Sequence, residues 1–356
     1  MGSFNATGSG LEFQAISPLR SDYWDDIVPA CEETSVFHTA AWARVLSYTY
    51  GYKPHYKILK RNGDIAGVIP MMYVSSWLTG KRIVCLPFSD HCSPLVCWQE
   101  FYENVFEHFV ITGKELKCRY AEIRCNQPYP KYPHHEFFLR HTLNLAPNEK
   151  DIFSRFRKGT KSSIKQARKK RIAVDMDCSL NALKKFYDLH CQTRRRHGLP
   201  PQPFRFFENI HRFLLTKGKG FIATAFLERR PIASAIFFIW REHATYKFSA
   251  SDAAFKKLNP TNLILWETIR HLIGKGYKSL CMGRTEPENL GLVRFKRGWG
   301  AQEQGIYYYR YDIKSDRFLS ENKRFSNSAG LANIFFKAIP ASPLKFIGRL
   351  LYKHMG

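Results

Sequence analysis

Apolar positions along the chain switch between a spacing of two and a spacing of three to four, and each switch marks a change of element. Trp42, Val45 and Leu46 fall at helical spacing and predict a helix over 37–48. A strand over 56–60, the turn signal Asn62-Gly63-Asp64 and an apolar run over 65–74 follow. A helix over 101–111 leads to a short strand at 120–125, and the prolines and histidines of 128–135 read as loop.

The second half starts from a basic segment at 155–171. Leu183, Phe186, Tyr187 and His190 predict a helix that Gly198-Leu199-Pro200-Pro201 stops, and another helical stretch runs to 215. Strands over 221–227, 232–240 and 244–250 come next, then a helix over 262–273, a strand over 277–282 and a tyrosine-rich strand over 305–311. The halves repeat one another. Ile65-Ala66-Gly67-Val68-Ile69 and Ile232-Ala233-Ser234-Ala235-Ile236 each follow a strand and a polar turn, and a helix and a short strand come after each. This order argues for duplication of one α/β unit.

With 356 residues the chain has room for two domains, and 44% apolar and 15% aromatic residues argue against disorder. No apolar run approaches the ~20 residues of a membrane span. Residues 1–10 are small and polar, unlike a secretory signal, and Ala6 stands where myristoylation after Met1-Gly2 wants Ser or Thr. Nine cysteines without a C-x-x-C pair argue against a disulfide framework and a zinc ribbon, so the chain reads as cytoplasmic and reduced. Charge divides it more sharply. Residues 1–148 hold 14 basic and 14 acidic residues, 149–356 hold 41 and 16, and the net +25 lies wholly in the second part. A cationic half attracts an anionic partner that the neutral half does not. The expected division is 1–148, 149–316 and a basic amphipathic tail at 317–356. In that tail Ile334, Phe335, Phe336, Ile347, Leu350 and Leu351 mix with Lys337, Lys345, Arg349 and Lys353, around Pro340 and Pro343. Such a tail packs back onto the first domain or lies on anionic lipid at the inner face of the membrane.

The candidate chemistry is cationic. Residues 155–171 hold nine Lys/Arg and no acid, and Arg157, Lys158, Lys161, Lys165, Arg168 and Lys169 cover most of one helical face. Arg194, Arg195 and Arg196 end a helix, where one cation satisfies the dipole and three suit carboxylate or phosphate. Gly283-Arg284-Thr285, Asn289-Leu290-Gly291-Leu292 and Phe295-Lys296-Arg297-Gly298-Trp299-Gly300 form the densest constellation, beginning where a strand ends. Arg284 and Lys296 can hold anionic groups, and Lys296 can stabilise a developing oxyanion. No P-loop, G-x-G-x-x-G, G-x-S-x-G or H-E-x-x-H pattern occurs, and no metal is indicated. Asp90-His91 beside Cys92 imitates a nucleophilic site but lacks an orienting partner.

This set resembles the FemABX-like branch of the GNAT acyl-CoA N-acyltransferase superfamily over nearly the whole chain. The motifs that carry the resemblance are Phe37-His38-Thr39-Ala40-Ala41-Trp42, the loop from Gly80-Lys81-Arg82 to Leu86-Pro87-Phe88-Ser89-Asp90, Phe156-Arg157-Lys158-Gly159-Thr160, Ser249-Ala250-Ser251-Asp252, Asn259-Pro260-Thr261-Asn262 and the constellation above. It is most similar to the FemAB-like proteins that accompany bacterial exopolysaccharide and protein-sorting systems. The resemblance implies an α/β (α+β) fold of two tandem GNAT-like domains, each a mixed central sheet flanked by helices, facing a shared cleft. It also implies transfer of an acyl or aminoacyl group onto an amine of a cell-envelope saccharide or peptide. The donor is a substrate, aminoacyl-tRNA or acyl-CoA, and no cofactor is bound.

The family's Phe-Lys motif falls on Phe295 and Lys296, with Lys296 near the transferred acyl group, and Tyr246 matches a position that lines the acceptor channel. Arg284, Asn289, Arg194, Arg195, Arg196 and Trp42 complete the expected substrate contacts. Lys158, Lys161, Lys165, Arg168, Asn259 and Asn262 are the expected donor contacts, and Asp252 is the candidate proton acceptor. Three features depart from the pattern: a long helical arm is absent, Leu46 stands where a first-domain lysine is expected, and the turn before the central helix lacks the glycines that would cradle CoA pyrophosphate. The alternatives are an acyl-CoA-dependent N-acetyltransferase and a non-catalytic binder of anionic polysaccharide, lipid or RNA.

Overall fold

The computed structural model describes residues 10–320 apart from 22 and 30–32, together with 333 and 336–356. The polar start over 1–9 and the tail residues Ile334 and Phe335 lie outside the described residues. The chain forms two compact units: unit 1 is Met1–Phe138, Gly305–Lys323 and Lys353–Gly356, and unit 2 is Leu139–Gln304 and Arg324–Tyr352.

In chain order unit 1 holds β1 (Leu11–Ala15), α1 (Trp24–Ile27), α2 (Ala40–Tyr50), β2 (Lys53–Pro54), β3 (Lys57–Arg61), β4 (Asp64–Ile69), β5 (Met72–Ser76), β6 (Gly80–Val84), β7 (Leu95–Val96), α3 (Tyr102–Glu115) and β8 (Tyr120–Cys125). β9 (Glu136–Asn144) carries the chain into unit 2, which continues with α4 (Glu149–Arg155), α5 (Lys158–Lys169), β10 (Ala173–Asp177), α6 (Leu180–Arg196) and α7 (Phe204–Phe213). It goes on through β11 (Gly220–Leu227), β12 (Arg230–Trp240), β13 (His243–Ser251), α8 (Pro260–Gly274), β14 (Ser279–Thr285) and α9 (Leu290–Arg297). β15 (Gln302–Asp312) returns the chain to unit 1, where β16 (Arg317–Phe318) follows, and α10 (Ala341–Leu351) lies in the tail.

Local chemistry explains the boundaries. Thr39 caps α2 by accepting from the Trp42 amide, and Gly51 ends it in the left-handed region at φ 74°. Asn62 and Gly63, at φ 52° and 93°, supply the two positive-φ residues of the β3–β4 hairpin. In unit 1, antiparallel β1-β3-β4-β7 form one sheet, and β2-β5-β6-β8 another in which β6 and β8 run parallel and β15 adds along β8. In unit 2 the order is β10-β11-β12-β13-β14-β9, antiparallel except for the parallel pair β13 and β14. Helices α5 and α8 cover a core of Phe156, Ile164, Phe237, Trp266, Leu280 and Trp299.

Two boundaries differ from the sequence expectation. The units part at Phe138/Leu139 rather than at 148/149, inside β9, and 305–323 belongs to unit 1 because β15 pairs with β8 from Tyr307 to Asp312. The tail also divides differently: α10 packs against α6 within unit 2, and Lys353–Gly356 alone joins unit 1.

Candidate active site

Unit 2 contains an opening between its two parallel strands. β13 and β14 pair at His243↔Ser279, Ala244↔Leu280 and Thr245↔Cys281, and there the register ends, although β13 runs on to Ser251 and β14 to Thr285. A bulge on β13 contributes: Tyr246 lies opposite Phe237 and Phe248 opposite Ile236, so Lys247 is the extra residue that bends the strand. From 246 to 250, β13 pairs with no described strand on its β14 side, so a substrate can meet that edge. Helix α6 closes the far end: the Ser251 carbonyl accepts from Thr193 Oγ1 at 3.2 Å and Arg196 Nη1 at 2.8 Å, and the Ser251 amide donates to Thr193 Oγ1 at 3.0 Å. Tyr246 stacks on Phe237 with centroids 5.2 Å apart, and burial pushes its phenol up to about 12, so it is neutral at pH 7.

Lys296 stands at this opening. Asn289 starts α9 by accepting from the Leu292 amide at 3.2 Å, and the helix brings Lys296, 4% exposed, against the end of β14. Its ammonium donates to the carbonyls of Gly283 at 2.8 Å and Arg284 at 3.3 Å. Gly283 has φ 72° and sits where the β14–β9 register slips between Cys281 and Arg284, so its carbonyl leaves the ladder.

The end of α9 is clamped. Arg297 donates to both oxygens of Glu303, at 2.8 and 2.7 Å, and Glu303 also accepts from His141 Nε2 at 2.9 Å. Those hydrogen bonds, Arg297's first, hold the Glu303 carboxyl below its ordinary value despite partial burial. Burial, and then the Lys296 charge, lowers the His141 pKa, so the imidazole is neutral with its proton on Nε2. Its Nδ1 is buried without a partner. His141 and Glu303 thus hold the helix that presents Lys296. Sequence reasoning missed both.

The other expected residues divide into supporting and outward-facing groups. Asp252 caps the turn after β13, one oxygen accepting from the Ala254 amide at 3.0 Å and the other from Arg230 at 2.8 Å. Both oxygens are engaged, and nothing in the arrangement marks it as a base. Arg194 binds the Pro200 carbonyl at 3.2 Å and the Tyr352 hydroxyl at 2.7 Å, tying α6 to the tail, while Arg195 is exposed. Phe295 packs between core and surface against Trp299, and Arg284 is exposed at the end of β14. In unit 1, Trp42 is fully buried with its indole N–H on Ser89 Oγ at 3.0 Å, and Leu46 is buried beside it.

Helix α5 buries Thr160, Ile164 and Ala167 and turns Lys158, Lys165 and Arg168 outward. Arg168 pairs with Glu267 at 2.8 Å, and Lys161 donates to the Ser154 carbonyl at 2.7 Å. A cavity of about 220 Å³ lies at its start, lined by Arg157, Arg294, Arg297, Leu290, Val293 and Gly298. The turn before α8 is poor in free amides: Pro260 has none, and the amides of Asn262 and Leu263 both donate to the Asn259 carbonyl. The Asn259 side chain binds Gln166 at 3.2 Å, and Asn262 is half-buried.

Unit 1 repeats the parallel pair but fills its opening. β6 and β8 pair up to Val84↔Glu122, after which Arg124 donates to the carbonyls of Leu86 at 2.8 Å and Ser89 at 3.3 Å. Glu122 is buried between Arg124 and Arg310, at 3.0 and 2.6 Å. Burial alone would raise its pKa, but the two guanidinium charges and their hydrogen bonds hold it down to about 2. The open pair in unit 2 is therefore the candidate site.

A splayed parallel pair with a buried ammonium at its edge, on a unit that the chain carries twice, is the arrangement of a tandem GNAT fold. Residues 154–297, which hold the unit 2 strands β13 and β14 and the helices α5, α6, α8 and α9, match the model of the acetyltransferase (GNAT) domain. Among solved structures the fold is similar to that of FemX, at 13% identity and TM-score 0.64, covering 83% of this chain and 96% of that one. It is also similar to a tandem GNAT protein from the clavulanic acid biosynthesis pathway, at 8% identity and TM-score 0.53, covering 85% and 98%. L-PGS from Bacillus licheniformis matches at 12% identity and TM-score 0.51, covering 83% and 92%. No curated protein sequence matches the chain.

Proposed function

We propose that the chain transfers an aminoacyl group from a charged tRNA to an amine of a cell-envelope saccharide or peptide, with the chemistry at the opening between β13 and β14. The observation that carries this reading is Lys296, whose buried ammonium lies at the edge of a strand pair that has stopped pairing. A neutral acceptor amine attacks the ester carbonyl, and charge collects on the carbonyl oxygen. Lys296 stabilises that charge, and the β13 edge beyond Thr245 orients the donor's backbone-like groups. The C–O bond then breaks, and the leaving 3′-oxygen takes up the proton that the amine loses. That route replaces Asp252, whose carboxylate is committed to Arg230 and the Ala254 amide.

Three observations favour RNA over CoA as donor. The outward face of α5 is basic, the adjoining cavity is lined by three arginines, and the turn before α8 offers few amides for a pyrophosphate. The FemABX-like motifs of the sequence and the similarity of the fold to FemX favour an envelope acceptor. The GNAT match over 154–297 supports the second reading, an acyl-CoA donor with the same acceptor class. Calorimetry with acetyl-CoA and with a non-hydrolysable aminoacyl-RNA separates them. Saturable RNA binding without CoA binding is expected, and micromolar CoA binding with RNA inert reverses the donor.

A further inference from the structure

The loop between β5 and β6 carries the most exposed large apolar side chain among the described residues: Trp77 is 83% exposed, and Leu78 beside it 53%. The loop is short, three residues between the paired Ser76 and Gly80. It is also braced from beneath. Ser76 Oγ accepts from the amides of Leu78 at 3.2 Å and Thr79 at 2.9 Å and meets His354 Nδ1 at 2.9 Å. Arg82, 2% exposed, donates to Thr79 Oγ1 at 2.7 Å and to the His354 carbonyl at 2.9 Å. The Trp77 ring stands edge-on to His354 with centroids 5.3 Å apart. A buried polar scaffold therefore holds two apolar side chains out in water.

The surroundings name the partner. Met355, next to His354, is 55% exposed, and Lys81, Arg119 and Lys353 are exposed around the same loop, with the Arg119 amide donating to the Lys81 carbonyl at 2.7 Å. Tryptophan beside leucine and methionine suits the interfacial layer of a bilayer, and a rim of cations suits anionic headgroups. We propose that this hairpin tip docks unit 1 on a membrane rich in anionic lipid, Trp77 and Leu78 entering the headgroup layer while Lys81, Arg119 and Lys353 contact phosphates. The docking stands independently of the acyl-transfer reading, and it moves the lipid contact from the tail helix to the β5–β6 hairpin.

Flotation with vesicles of phosphatidylglycerol and phosphatidylcholine, and of phosphatidylcholine alone, tests it. The full chain should float with the anionic vesicles and stay behind with the neutral ones. Trp77→Ser with Leu78→Ser should lower binding at least tenfold while the thermal midpoint holds, because both side chains are exposed. Lys81→Gln with Lys353→Gln should weaken binding about fivefold per charge and flatten its salt dependence. Turnover on a soluble acceptor should not change in any of these variants, so failure here is separable from failure of the enzymatic reading. The proposal is overturned if the full chain does not float, if it floats equally on neutral vesicles, or if the apolar double variant floats as before. It is equally overturned if that variant instead abolishes self-association in sedimentation, since a second copy would then be the occupant.

Discussion

In the proposed reaction Lys296 is the residue on which the chemistry turns. Its ammonium is buried, is held by two carbonyls of β14 and lies beside a neutral imidazole, so it is fixed before substrate arrives. Replacing it with alanine should cost about 10²–10³ in kcat with a smaller change in KM, the signature of a donor used in the transition state. Glu122 tests a structural role in the same way. Glu122→Gln leaves Arg124 and Arg310 without their counter-charge and should cost about 3–5 kcal/mol, read from urea unfolding. Because its folded pKa of about 2 lies below the ordinary 4.5, its stabilisation is complete above pH 4.5 and is lost as pH falls toward 2. His38 acts earlier: burial lowers its pKa from 6.5 to about 4, against the hydrogen bonds that join it to Ser93 and Ser35. Unfolding midpoints should therefore fall from pH 6.5 down to about 4, with the Glu122 loss joining from about pH 4.5 downward.

At the scale of elements, the pattern of the chain showed most of what the backbone does. The strand at 120–125 matches β8, and Asn62-Gly63 makes the turn that its positive φ values require. The apolar run over 65–74 divides into β4 and β5, with Pro70, which has no amide to give a ladder, between them. β9 was not visible because Arg140 and His141 sit on it as buried residues. Their partners Gln304 and Glu303 lie 164 and 162 residues away, and no local pattern reports that. For the same reason the clamp on α9 is not legible in the sequence, whereas Lys296 lies inside a dense motif. Trp42, Asn289 and Asp252 carried the right residue types, yet the structure gives them jobs in packing and capping. Helix α5 yields the prediction for this scale. Neutralising Lys158, Lys161, Lys165 and Arg168 together should weaken donor capture and flatten its salt dependence, leaving turnover at saturating donor nearly unchanged. Because Arg168 also pairs with Glu267, part of any stability loss belongs to that contact.

Across the whole molecule one plan is used twice with different outcomes. Each unit pairs two parallel strands briefly, and in unit 1 a buried Arg–Glu–Arg set fills the space that opens beyond them. In unit 2 the pairing stops at Thr245 and Cys281, and Lys296 lies against the end of β14. Among the described residues no helix is long and apolar enough to cross a membrane. The central claim is acyl transfer at the unit 2 opening, and product analysis tests it most directly. Radiolabelled aminoacyl-tRNA and acyl-CoA are each incubated with amine-bearing envelope precursors, and the acceptor is examined by mass spectrometry for a new amide. Wild-type chain should form that amide from one of the donors, and Lys296→Ala should form it about 10²–10³ times more slowly with its fold intact. Equal product from the Lys296→Ala variant would contradict the site, and no amide from either donor across the acceptor set would contradict the function.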